Sequence, residues 1–141
     1  MGKFKFQFSD YNEQTGRSHV CLRYKDRIYH GYAYYNDTDK KEEYPPSSFL
    51  GCRIAERRAY AKALKDELKE KKNKLKVYDE IIGLFDKLEG IPEEISIAYN
   101  HLLKDISYRE KVIQNIQTAI QNDINNYFEF QNKKKKKESC E

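Results

Sequence analysis

Phe4, Phe6 and Phe8 alternate with Lys5 and Gln7, a period of two that places three rings on one face of an extended strand. Val20, Leu22 and Tyr24 alternate with Cys21 and Arg23. Lys25-Asp26 then reads as a tight turn, after which Ile28, His30, Tyr32 and Tyr34 continue the same beat. Between the first two runs, Asp10-Tyr11-Asn12-Glu13-Gln14-Thr15-Gly16 carries the Asn, Asp and Gly of a hairpin loop. Three antiparallel strands follow, too few to be stable unless one face is covered. If Tyr32 and Tyr34 pack inward in this phase, Tyr29 and Tyr35 stay exposed.

The beat changes after residue 48. Asn36 to Glu43 form a polar stretch containing Asp37, Asp39, Glu42 and Glu43, Pro45-Pro46 stiffen its exit, and Ser47 or Ser48 supplies a helix N-cap. A 3.5-residue repeat then runs through Ile54, Arg57, Ala61, Leu64, Leu68, Lys71, Leu75, Tyr78, Ile82 and Phe85. Glu89-Gly90-Ile91-Pro92-Glu93-Glu94 stops one helix and starts another. The second stripe is Ile95, Tyr99, Leu102, Ile106, Arg109, Ile113, Ile116, Ile120, Asp123 and Tyr127.

Folding the chain at Gly90 brings together residues whose numbers sum to about 180. Arg57 and Arg58 then fall opposite Asp123, and Lys71 opposite Glu110 and Arg109, so the polar interruptions coincide and fix the register. A second stripe, Gly51, Ala55, Ala59 and Ala63, recurs every four residues and lets another element approach closely. The predicted class is α+β: a short three-stranded antiparallel sheet packed on the start of a long antiparallel two-helix coiled-coil hairpin. Its segments are residues 1–46, 47–132 and a disordered basic tail, 133–141.

Composition narrows the classes. Charged residues make up 35% and apolar ones 38%, which suits helices burying one narrow stripe each better than a thick core. No apolar run approaches the roughly 18 residues of a membrane span, and the opening Met1-Gly2-Lys3-Phe4 lacks a signal-peptide core. The expectation is a cytoplasmic protein with no membrane contact. Cys21, Cys52 and Cys140 form no Cys-x-x-Cys pair, so neither a disulfide framework nor a zinc site is expected. The net charge of +4 hides a distribution: residues 47–90 hold 11 Lys/Arg against 8 Asp/Glu, whereas five of the eight basic residues in 91–141 are Lys133 to Lys137.

The sequence contains no phosphate-binding Gly-Lys-Ser/Thr loop, nucleophile elbow or His-Glu-x-x-His helix, and the reading is of a non-enzyme without cofactor. Two groups of residues suit binding. Tyr29 and Tyr35 are candidate anchors for a partner, or for stacking on bases. Arg53, Arg57, Arg58 and Lys62 form a basic run whose function is either a solvated helix flank or contact with phosphates or an acidic groove. The lysine tail adds weak non-specific attraction to nucleic acid.

The stretch from Gly31-Tyr32-Ala33, through Asp37 or Asp39, to Gly51-Cys52-Arg53-Ile54-Ala55-Glu56-Arg57-Arg58-Ala59 resembles a pattern in small proteins of bacteriophages and mobile elements of Gram-positive bacteria. Phe8-Ser9-Asp10-Tyr11-Asn12 and Thr15-Gly16-Arg17-Ser18 add to the likeness. That group includes anti-CRISPR inhibitors of type II systems. The resemblance implies a phage-borne inhibitor, monomer or dimer, that binds a host guide-RNA-directed nuclease by protein–protein contact, without catalysis, in the host bacterial cytoplasm. Its contacts would come from Tyr29, Tyr35, Asp37, Asp39, Glu42, Glu43, Arg53, Arg57, Arg58 and Lys62. Two rival readings stand beside it: a nucleic-acid-binding accessory protein, and a coiled-coil structural or assembly protein.

Overall fold

The computed structural model of the chain describes residues 4–34, 48–87 and 90–139, the last five for their backbone alone. Three strands, β1 (Lys5–Asn12), β2 (Arg17–Tyr24) and β3 (Arg27–Tyr34), precede two helices, α1 (Ser48–Asp86) and α2 (Glu93–Ser139). Pro45, Pro46 and Ser47 lie outside the described residues. The chain divides into two compact units, Met1–Ala63 with Ile116–Glu141, and Leu64–Asn115.

In the first unit the strands form an antiparallel meander in the order β1-β2-β3. The first hairpin closes as its composition predicts. The Asn12 side-chain oxygen accepts the N–H groups of Gln14 (3.0 Å) and Thr15 (3.2 Å), and Gly16 at φ +69° donates to the Asn12 carbonyl at 2.8 Å. The second turns at Lys25 and Asp26, both left-handed (φ +49° and +63°), which matches the right-handed twist of the flanking strands.

One face of this sheet lies on the start of α1. Val20, Leu22, Ala33, Ile54, Ala55 and Ala59 form its buried cluster, flanked by Phe4, Tyr29, Tyr60, Ile120 and Ile124. The four-residue stripe of small side chains on α1 is the contact surface. A Cβ on Gly31 would collide with the Ala55 carbonyl oxygen and lie 2.8 Å from the Ala59 nitrogen, and one on Gly51 would run into Ser18. Helix and strand backbones therefore approach as closely as glycine and alanine allow.

That approach corrects the phase of the third strand. Gly31 and Ala33 are buried while Tyr34 is exposed, so Tyr29, Gly31 and Ala33 face the helix and Ile28, His30, Tyr32 and Tyr34 turn away. Large aromatic rings cannot fit where two backbones nearly touch. The three phenylalanines also do not share one face, because β1 is irregular between Phe6 and Phe8. Phe4 stacks on Tyr24 on the helix side, whereas Phe8 pairs with Cys21 and packs edge-on against His19 on the other.

Every seam position read from the repeat is buried or half-buried along both helices. In the first unit Arg53 and Arg57 both bind Asp123. In the second unit the helices run antiparallel across a turn where Gly90 takes φ +111° and the Pro92 carbonyl accepts the N–H groups of Ile95 and Ser96. Its polar layers differ in detail from the expected pairing. Lys71 binds Asp105 at 2.6 Å, Lys72 binds Glu110 at 3.5 Å, and Arg109 binds Glu67 at 2.5 Å. Long side chains reach one turn along the partner helix, and Arg109 selects the carboxylate that is buried. Lys133 to Ser139, which low complexity marks as disordered, continue α2; lysine is a good helix former.

Two outcomes are expected. Gly31→Ala destabilises the first unit by at least the upper end of the about 1–3 kcal/mol typical of overpacking, because it is backbone that must give way; urea unfolding checks this. Glu67 is 6% exposed, so Arg109→Met, which strands its charge, costs about 3–5 kcal/mol, while the pair Glu67→Leu/Arg109→Met restores the urea midpoint.

Candidate functional site

The face of the sheet turned away from α1 is open. Alternation and register place Lys5, Phe8 and Asp10 of β1, Arg17, His19, Cys21 and Arg23 of β2, and Ile28, His30, Tyr32 and Tyr34 of β3 on it. The rings form one connected stripe. His19 is stacked on Tyr32 (centroids 4.5 Å, 10°) and on His30 (5.0 Å, 26°), and Tyr32 is parallel to Tyr34 within 19° at 6.4 Å. Tyr34 is 66% exposed and Phe8 45%. Cys21 is buried on this face, opposite Phe8 and His30.

Cations frame the stripe. The Arg17 guanidinium carbon lies 5.7 Å and the Lys62 ammonium 5.6 Å from the centre of the same Tyr32 ring, within cation–π range. Lys62 reaches this position because its ammonium donates to the His30 carbonyl oxygen at 2.6 Å; Arg58 donates to the Tyr32 carbonyl oxygen at 2.8 Å. These two α1 side chains thereby cap the outward carbonyls of β3, an edge strand of the sheet.

The His19 Nε2 and His30 Nδ1 atoms are 2.7 Å apart. Such a bond holds one proton between two nitrogens, so at least one of these rings must be neutral. Burial lowers the His19 pKa below its ordinary value, as do His30, Arg17 and Lys62, with Asp10 opposing them.

The structure sorts the sequence candidates. Tyr29 packs against the buried cluster and is a core residue in position. Arg53 and Arg57 are held by Asp123, and Arg58 and Lys62 by β3 carbonyls, so the basic run is drawn into the fold's own contacts. Tyr35, Asp37, Asp39, Glu42 and Glu43 lie outside the described residues, as does Cys140. Phe8, Arg17, His19, Tyr32 and Tyr34 were not singled out as binding residues by the sequence. A signal for them exists in the Lys25-Asp26 turn, which sets His19 opposite Tyr32 and Cys21 opposite His30. Among the described residues no group of three or more His, Cys, Asp or Glu is placed to hold a metal ion. None of the described helices is long and apolar enough to cross a membrane.

No protein-family model, no curated protein and no solved structure matches the chain.

A lowered histidine pKa fixes the sign of a pH effect. Well above the unfolded pKa of about 6.5 His19 is neutral folded or unfolded and contributes no pH dependence. As the pH falls below that value the unfolded chain takes up the proton first, and the folded state loses stability until the folded pKa is passed. Thermal melting should show a drop between pH 7.5 and 5 that is smaller in His19→Gln.

Proposed function

We propose that this protein is a binding protein that performs no chemistry and that the open sheet face is where it binds. The observation that carries this is the connected stripe of Phe8, His19, Tyr32 and Tyr34, held on a hydrogen-bonded sheet with Arg17 and Lys62 at its rim. Rigid aromatic side chains beside arginine are the usual anchors of recognition surfaces, since they bring large contact area at little entropic cost. The resemblance of Gly31-Tyr32-Ala33 and of Gly51 to Ala59 to small phage proteins supports, as the target, a type II guide-RNA-directed nuclease of the host, inactivated by being bound. In this reading Gly51 to Ala59 matter as the bed on which the sheet rests, and the sheet makes the contact.

A nucleic-acid accessory protein working through the run Arg53, Arg57, Arg58 and Lys62 has less support, because Arg53 and Arg57 are held by Asp123 and Arg58 by the Tyr32 carbonyl, leaving Lys62, anchored on the His30 carbonyl, as the member of the run that stands over the open face. Assembly through the helices rests on exposed apolar side chains along them, among them Phe49, Leu84, Tyr108 and Phe130, and has less behind it than the connected ring stripe of the sheet.

The test is a DNA-cleavage assay with a purified type II nuclease and its guide RNA, alongside capture of that complex on the immobilised protein. Suppressed cleavage and retention of the complex are expected, with both weakened about tenfold or more by Tyr32→Ala/Tyr34→Ala, the loss of two anchors at over ~1 kcal/mol each. Undiminished cleavage across several such nucleases, with none retained, rejects the target.

A further inference from the structure

We infer that the open face takes a single strand of nucleic acid, its bases lying on the ring stripe and its phosphates on the flanking cations. This rests on the reading that the open face is the binding surface and goes further in naming the chemistry recognised there.

Charge is the first argument. Lys5, Arg17, Arg23 and Lys62 border this face, against Asp10 from the strands and Asp26 of the β2–β3 turn, which pairs with Arg23 at 3.5 Å. Two of those cations, Arg17 and Lys62, converge on one ring, so flat apolar surface and positive charge meet within about 6 Å. A ligand matching both carries anionic groups and flat π systems in alternation along its length. Nucleic acid does so at every residue, whereas an acidic peptide supplies charge without regular planar groups.

Spacing distinguishes one strand from two. Successive rings along β3 have centroids 6.3 Å apart from His30 to Tyr32, where His19 is already stacked on both, and 6.4 Å from Tyr32 to the largely exposed Tyr34, the two-residue repeat of a strand. Bases stacked in a duplex recur at about 3.4 Å along each strand. A ligand following β3 must therefore have its bases drawn apart, and a duplex, whose base faces are covered by their neighbours, offers the rings nothing to lie on. Among the described residues no helix is presented on this side to enter a groove. Base faces are alike in all four nucleotides, so the surface accepts single strands with little regard to sequence.

The His19–His30 pair fits this chemistry. Its rings stack on each other and join β2 to β3 within the stripe, and a ligand phosphate nearby would favour the proton that burial resists on His19.

The experiment is fluorescence anisotropy of the full chain with labelled ten-nucleotide RNA and DNA single strands and a twenty-base-pair duplex, at 50 and 200 mM salt. A background with Lys133 to Lys137 replaced by glutamine removes attraction by those lysines. In that background, single strands are expected to bind at least tenfold more tightly than duplex. Tyr34→Ala should weaken binding about tenfold, within the range for one base–ring stack, and Tyr34→Phe should leave it unchanged. Arg17→Ala should reduce the salt slope by about 0.7, one phosphate of a single strand. Tyr34 is largely exposed, so its variants test the surface without threatening the fold.

Equal binding of duplex and single strand, indifference to Tyr34→Ala, or loss of binding on replacing the five lysines alone would each overturn the inference. If the nuclease polypeptide without guide RNA is captured through Tyr32 and Tyr34 while oligonucleotides are ignored, the face recognises protein: the inference fails and the functional reading stands. If oligonucleotides bind as described but no nuclease is retained or inhibited, the inference stands and the target is wrong. If neither binds, both fall.

Discussion

The closeness of one strand to one helix governs this molecule. Gly31 lies so near the Ala55 and Ala59 backbone that not even a methyl group fits between them. A sheet of three strands has no stability of its own, and the stripe Gly51-Ala55-Ala59-Ala63 gives it a bed at the shortest distance a helix permits. From that contact follows the orientation of everything on β3. Small residues must face the helix, so the large ones, His30, Tyr32 and Tyr34, must face away. The aromatic surface is the complement of a steric requirement on the other side of the sheet.

Charge is divided between two tasks. On the helices most of the ion pairs set alignment: Asp123 gathers Arg53 and Arg57, and Glu67 holds Arg109 in a nearly dry layer of the second unit. Buried pairs of this kind add little net stability but penalise a shifted register heavily. On the sheet, charge is left at the margin of the rings, where water still reaches it. A count of basic residues along the sequence does not separate these tasks, because Lys62 and Lys71 look alike until each is seen to reach a carbonyl or a carboxylate.

Much of the architecture was legible in the chain. The 3.5-residue repeat, the Gly90-Ile91-Pro92 break and the coincident polar positions identify two antiparallel helices, since helix faces are set by a period that local sequence displays directly. The number and order of strands were legible for the same reason. The phase of β3 was not. In Arg27 to Tyr34 both faces carry tyrosine, so alternation alone cannot say which is inward, and the deciding fact is the fit of Gly31 and Ala33 against a helix more than twenty residues away. The irregularity at Phe6/Phe8 was hidden likewise, as nothing local distinguishes a bulge from regular alternation of Phe and polar residues. The candidate site depended on that phase, and so the sequence pointed to Tyr29 where the structure presents Tyr32 and Tyr34.

The clamps on β3 carry a consequence for the growing chain. Arg58 and Lys62 close the outer border of the sheet from positions 26 and 32 residues downstream of the carbonyls they hold. A ribosome adding about 5–20 residues per second leaves that border bare for seconds after the third strand emerges. During that interval neighbouring nascent chains on one message present each other with matching unfinished edges. The arginine and lysine that finish the fold also end this exposure.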